Sequence, residues 1–161
     1  MLTDDTRART ETMLKADEGL AKLLPDGMIG AYLDSRGIWS IGYGCNLIAR
    51  GLTPALAAVT KWTQQQAEEQ FKASLNKVIS ELNADFPDWI DLCPARQAVA
   101  VSACYQLGVA GVEEFKPTIA LIKAGQYAKA AQHMLASEWG KQTPERVQKL
   151  ATMMQTGEWP A

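Results

Sequence analysis

Residues 27–47 read GMIGAYLDSRGIWSIGYGCNL. Glycines at 27, 30, 37, 42 and 44 break the stretch into two short apolar runs, Ile29 to Leu33 and Ile38 to Tyr43. Between them stands Asp34-Ser35-Arg36-Gly37, which has turn chemistry: Asp and Ser side chains bond back to nearby backbone, and glycine accepts a positive φ without steric cost. The stretch reads as a small hairpin or a three-stranded antiparallel sheet, and it is the only strand region expected in the chain.

Outward from it the texture is helical. Residues 3–17 read as a helix with Thr3 as N-cap, Asp4 and Asp5 in the first turn, Met13 and Leu14 facing inward, and an end near Gly19. Thr53-Pro54 pairs an N-cap with proline at the first helical position, and Thr63-Gln64-Gln65-Gln66 matches a capping box. The helix behind that box lines up Ala67, Phe71, Leu75, Val78, Ile79 and Leu82 on one face, and at roughly 20 residues it would be about 30 Å long, enough to bridge two lobes. Pro94 to Leu107 is apolar almost all round, the mark of a buried central helix, and Gly108 closes it. Further starts fall at Pro117 and Thr143-Pro144, with stops at Gly125 and Gly157. The expected class is α+β and predominantly helical. A minor sheet-bearing lobe (about 18–62) is joined by the long helix to a helical lobe (1–17 and about 63–161).

The chain of 161 residues carries a formal charge of −2, and no run of Lys and Arg interleaved with aromatics appears, so a nucleic-acid partner is not expected. Residues 1–91 hold 13 acids and 9 bases, whereas residues 92–161 hold 5 acids and 7 bases, so the second half would be drawn mildly to an anionic polymer. Cys45, Cys93 and Cys104 offer neither a C-x-x-C spacing nor an even count, which argues against a disulfide framework and a zinc site. The N-terminus lacks a basic leader and an apolar stretch, and nothing later is long enough to span a bilayer; the expectation is a protein made and held in the cytoplasm.

Two carboxylates stand out. Glu18 closes the first helix and Asp34 follows 16 residues later in the turn. Hydrolysis of a glycosidic bond needs such a pair on different elements, one protonated to serve the leaving oxygen and one ionised. The spacing alone equally suits a helix-end acid and a turn acid with no chemistry.

The surroundings are more specific. Met13-Leu14-x-x-Asp17-Glu18-Gly19-Leu20, then Tyr32-x-Asp34-Ser35-x-Gly37-x-x-Ser40-Ile41-Gly42-Tyr43-Gly44, resembles the catalytic region of glycoside hydrolase family 24, the phage-type lysozymes or endolysins. The resemblance resumes at Arg96-x-Ala98 through Tyr105-Gln106-x-Gly108, Gly111-Val112-x-x-Phe115, Ser137-x-Trp139-x-x-Gln142-Thr143-Pro144-x-Arg146 and Thr156-Gly157-x-Trp159. It implies a lysozyme-like two-lobed fold and the role of proton donor for Glu18. Asp34 would be the catalytic aspartate, and Ser40 would hold the attacking water with it in an inverting mechanism. Ser40 replaces the threonine of the T-even phage members, keeping the hydroxyl but losing the methyl that fixes its rotamer. The resemblance further implies substrate contacts at Leu47, Tyr105, Thr118 and His133, with Gln106, Trp139 and Gln142 nearby. Arg146 aligns with an arginine beside the catalytic glutamate. Tyr105, Thr118 and His133 differ in identity from the T-even members, and the loop between Glu18 and Asp34, with its Pro25-Asp26-Gly27 turn, is longer.

Cys45 replaces a histidine that in the T-even members pairs with an acid, whose counterpart here is Ser74. Exchanging both partners costs far less than stranding one charge. A Cys-His nucleophile is disfavoured because His133 is the only histidine, so Cys45 is expected as a small buried residue. One histidine also makes no metal site, and no cofactor is expected. Gly42-x-Gly44 has no strand-to-helix context or following lysine and reads as a tight sheet turn rather than a phosphate loop. Trp39, Trp62, Trp89, Trp139 and Trp159 read as buried anchors, with Trp139 the candidate near the cleft.

The function implied is hydrolysis of the β-1,4 bond between N-acetylmuramic acid and N-acetylglucosamine in bacterial peptidoglycan. A monomer is expected to wait in the host cytoplasm until a holin-type protein releases it to the wall in the periplasm. Two rivals remain: a non-catalytic peptidoglycan-binding or phage structural protein with the same fold, and a lytic transglycosylase, for which one glutamate suffices.

Overall fold

The computed structural model describes residues 2–20 and 22–161. The chain divides into two compact units, one of Thr12–Asn76 and one of Met1–Glu11 with Lys77–Ala161. Its architecture is α+β and mainly helical, as the sequence implies.

Helix α1 (Asp4–Glu18) begins where the Thr3 hydroxyl accepts from the Thr6 N–H at 3.2 Å, and Met13 and Leu14 are 8 % and 0 % exposed. In the first unit a meander of β2 (Tyr32–Leu33), β3 (Trp39–Ile41) and β4 (Cys45–Asn46) pairs Tyr32 with Ser40 and Ile41 with Cys45. A separate antiparallel pair joins β1 (Ile29–Gly30) to β5 (Lys61–Trp62). The sequence reading missed β5. Two residues are too few to show an alternating pattern, and the strand exists only because Ile29 pairs with Trp62 across a long loop. That loop contains α2 (Pro54–Ala58), whose Thr53 cap accepts from the Leu56 N–H. The core beneath the strands is Ile29, Ala31, Ile41, Leu47, Ala57 and Ala67, with Trp39, Tyr43 and Trp62 packed against it.

The capping box at the start of α3 (Gln64–Asp85) is reciprocal: the Gln66 N–H donates to the Thr63 hydroxyl at 3.0 Å, and the Thr63 N–H donates to Gln66 Oε1 at 2.8 Å. Ala67, Phe71, Leu75, Val78 and Leu82 are buried along its inner face, and its residues contribute to both units.

The helical unit follows a 3-10 turn at Pro87–Asp91 with α4 (Pro94–Leu107), α5 (Val109–Glu113), α6 (Lys116–Lys123), α7 (Tyr127–Ala136), α8 (Glu138–Gln142) and α9 (Pro144–Thr156). Ala98, Val101 and Cys104 of α4 are buried, as are Val147, Leu150 and Met154 of α9 and Ala130 and Met134 of α7. Gln97 and Ser102 are buried on α4 as well, and the Gln97 amide is satisfied by the Ile90 carbonyl at 2.8 Å. Arg96 ties this core to the end of α9. Its Nε and Nη2 donate to the carbonyls of Met154 (2.8 Å) and Gln155 (3.1 Å), and the guanidinium lies 3.5 Å from the Tyr127 ring centroid. The helix then ends at Gly157 in the left-handed conformation, φ 75°.

Gly140 marks the tightest point of this unit, because a Cβ there would lie 2.5 Å from the Leu135 carbonyl oxygen and 2.7 Å from that of Met134. Both are backbone atoms at the α7–α8 corner and cannot rotate away. Gly140→Ala is therefore expected to destabilise the protein by about 3 kcal/mol, as overpacking does at its upper end. Thermal unfolding should show a fall in Tm of roughly 6–12 °C.

Candidate active site

Glu18, Asp34 and Ser40 all belong to the sheet-bearing unit, Thr12–Asn76. Glu18 is the last residue of α1 and half-buried; Gly19, φ 66°, turns the chain away, its N–H donating to the Lys15 carbonyl at 2.9 Å. One turn earlier, Lys15 Nζ reaches both Glu68 carboxylate oxygens on α3 at 2.6 Å and lies 5.1 Å from the Phe71 ring centroid and 5.6 Å from that of Tyr43. Tyr43 and Phe71 meet edge-on at 5.3 Å. These contacts fasten the end of α1 to α3 and to the loop after β3, which fixes the base from which Glu18 projects.

Gly44 stands against the carboxylate itself. With φ 82° it takes a conformation reserved for glycine, and a Cβ there would lie 2.9 Å from Glu18 Oε2. The sequence reading assigned Gly44 to the sheet turn; it also makes room for Glu18.

Asp34 is built into its turn. Its Oδ1 accepts from the backbone N–H groups of Arg36 (2.8 Å) and Ile38 (2.9 Å), while Oδ2 lies 3.5 Å from Arg36 Nη2. The main chain closes the same turn, Asp34 N–H to the Ile38 carbonyl and Gly37 N–H to the Asp34 carbonyl, both 2.9 Å. Burial pushes the Asp34 pKa up, but the two N–H donors and the Arg36 guanidinium outweigh it, and the carboxyl is held below the usual carboxylate range. A depressed folded-state pKa contributes stability above the unfolded pKa of about 3.9, and that stability is lost as pH falls through the folded value. Asp34→Asn should accordingly be less stable than wild type at pH 7 by about 1 kcal/mol or less, the guanidinium being exposed. Urea titrations across pH 2–7 should show the difference shrinking only below the ordinary aspartate range.

Ser40, 3 % exposed on β3, donates weakly to the Ile38 carbonyl at 3.4 Å and is paired across the sheet with Tyr32. Burial, followed by the charges of Glu18, Asp34 and Cys45, raises the Tyr32 pKa. The Tyr32 phenol thus senses both carboxylates and stays protonated. Tyr32 carried no assigned role in the sequence reading, although its place two residues before Asp34, in the strand that leads into the Asp34 turn, was the available signal.

Two expectations in this unit change. Leu47 was expected at the substrate, but it is 1 % exposed and its side chain is part of the core, its N–H held by the Trp39 carbonyl at 2.9 Å. Cys45 was expected to be buried and is only half-buried. Its Sγ lies 3.8 Å from Arg50 Nη1, the same guanidinium nitrogen bonds Gln70 Oε1, and Gln70 Nε2 is 3.2 Å from Ser74 Oγ. Arg50 also covers the Trp62 ring at 5.6 Å. Cys45 and Ser74 are thus joined through Arg50 and Gln70, so the polar neighbour of the thiol is a guanidinium and not a base.

The other expected contacts belong to the helical unit. Trp139, 5 % exposed, donates from Nε1 to Gln106 Oε1 at 2.7 Å, and Gln106 Nε2 donates to Thr143 Oγ1 at 3.3 Å. Tyr105 is half-buried, His133 and Gln142 are exposed, and Thr118 is 7 % exposed. Arg146 donates from Nη2 to Ser102 Oγ at 3.2 Å. Among the described residues no group of three His, Cys, Asp or Glu side chains is placed to hold a metal, and no helix is long and apolar enough to cross a membrane.

Comparison with known proteins gives the same direction. Probable T4-type lysozyme 1 of Dictyostelium discoideum is 26 % identical over 90 % of this chain and 92 % of its own length. Probable T4-type lysozyme 2 of the same organism is 31 % identical over 38 % of this chain and 36 % of its own. The pre-baseplate central spike protein Gp5 of Enterobacteria phage T4 is 23 % identical over 96 % of this chain, which spans 29 % of that protein. The Phage lysozyme family matches residues 27–155, a stretch that includes Asp34 and Ser40. The chain belongs to the phage lysozyme family and is a lysozyme, a hydrolase acting on peptidoglycan.

Proposed function

We propose that this lysozyme cleaves the β-1,4 bond between N-acetylmuramic acid and N-acetylglucosamine with inversion, Glu18 acting as general acid and Asp34 with Ser40 orienting the water. The observation that carries the reading is the division of labour within Asp34. Oδ1 is consumed by two backbone N–H groups, which fixes the carboxylate plane, and Oδ2, which has the exposed Arg36 guanidinium 3.5 Å away, is the oxygen left to take a proton from water. Ser40 donates its hydroxyl hydrogen bond to the Ile38 carbonyl, so its oxygen is available as a second acceptor. A carboxylate held ionised and rigid suits water activation better than covalent attack, where it would have to approach the sugar. We propose Tyr105, Gln106, His133 and Gln142 as the saccharide contacts of the helical unit.

The stereochemistry tests this. Proton NMR of freshly cleaved glycan should show the α-anomer first, converting later to the equilibrium mixture; initial β-anomer would assign Asp34 the part of a nucleophile.

A further inference from the structure

The helical unit encloses a cavity of about 380 Å³ that involves none of Glu18, Asp34 or Ser40. That volume lies at the small end of the range of roughly 300–1,000 Å³ typical of small-molecule sites. Leu82, Phe86, Ala103, Cys104, Ile119 and Ile122 are among its walls, drawn from α3, the residue before the 3-10 turn, α4 and α6. Phe86, Ile119 and Ile122 remain half-buried although they are large and apolar, so the cavity is open to a ligand. The Cys104 thiol, its pKa pushed up to about 12 by burial and then by Glu81, is a neutral wall group. Little inside would satisfy a polar ligand, the Thr118 hydroxyl being the main exception, so the occupant must be mostly hydrocarbon.

The charged residues of the lining set its other end. Asp88, Asp91 and Lys123 all belong to the lining and all are exposed, with Lys123 Nζ 4.0 Å from Asp88 Oδ2. Lys123 offsets one carboxylate and leaves the other, so these charged groups favour a cationic end over an anionic one.

We propose that this cavity is a binding site for a single-chain aliphatic amphiphile with a cationic head, an alkylamine in type. A chain of roughly eight carbons fits within about 380 Å³ at ordinary organic packing without filling it. The tail lies among the apolar walls and the ammonium stays at Asp88 and Asp91, so that each added methylene tightens binding about fourfold until the cavity is full.

Isothermal titration of n-octylamine, n-hexylamine and octanoate into the full chain at neutral pH tests the site. Octylamine should bind saturably and about tenfold tighter than octanoate, because the net negative charge of Asp88, Asp91 and Lys123 attracts one head and repels the other. Tryptophan emission should shift with the same midpoint, since Trp89 and Trp139 line the cavity. Ala103→Phe, which fills the space, should weaken octylamine at least tenfold. The double variant Asp88→Asn, Asp91→Asn changes only exposed side chains; it should keep the chain-length dependence while bringing octylamine and octanoate within about twofold. Should Ala103→Phe fail to fold, this surface variant decides the matter alone. No saturable octylamine binding at millimolar concentration, equal binding by folded Ala103→Phe, or a head-group preference untouched by the double variant would each overturn the proposal.

Discussion

Glu18→Gln is expected to lower kcat on peptidoglycan by at least about a thousandfold, the upper part of the range for removing a general acid. Glutamine has almost the same volume and keeps a hydrogen-bonding end, so the half-buried site at the end of α1 should retain its packing. Lys15, Glu68, Tyr43 and Phe71, which anchor that helix end, are untouched. Unfolding should therefore stay within about 1 kcal/mol of wild type. Loss of activity together with loss of fold would speak for a structural glutamate; loss of activity alone assigns it to the chemistry. Turbidity assays on permeabilised Gram-negative cells, with urea unfolding of both proteins, distinguish the two.

Gly44→Ala should be the next most damaging to catalysis, and its signature is a fall in kcat with KM nearly unchanged. The new methyl carbon would lie 2.9 Å from Glu18 Oε2. Because that oxygen ends a flexible side chain, Glu18 can swing aside, and the cost appears as misplacement of the acid more than as lost stability. A displacement approaching 1 Å at a reacting group costs on the order of a hundredfold. Holding alanine at positive φ costs a further 1–2 kcal/mol or so of stability, independent of the clash. Gly51→Ala separates these effects: its φ of 91° imposes the same strain, but no atom lies within 4 Å of the added carbon. It should lose stability and keep kcat. Equal losses of kcat in the two variants would deny Gly44 its special relation to Glu18.

What the sequence makes legible here is local. The Thr63–Gln66 capping box, the Thr53-Pro54 start and the glycine stops at 108, 125 and 157 are decided by chemistry within a few residues, and each stands where the pattern puts it. Asp34 is readable for the same reason, since its side chain bonds residues two and four positions ahead. Features that depend on distant partners are not readable. β5 is two residues long and needs Ile29 to exist as a strand. Leu47 looks as suited to a sugar as to a core until the burial of Ile29, Ile41 and Ala57 around it is known. The link from Cys45 to Ser74 runs through Arg50 and Gln70, neither of which any motif singles out. The cavity of the helical unit is the extreme case, because helical periodicity reports which residues face inward and nothing about the space left between them.

The most direct test of hydrolysis by Glu18 is mass spectrometry of the sugars released from purified Gram-negative peptidoglycan by wild type and by Glu18→Gln. Hydrolysis with Glu18 as the acid predicts hydrated muropeptides with reducing N-acetylmuramic acid ends from wild type and none above background from the variant. Anhydro-muramic ends from wild type, or undiminished release by Glu18→Gln, would contradict it.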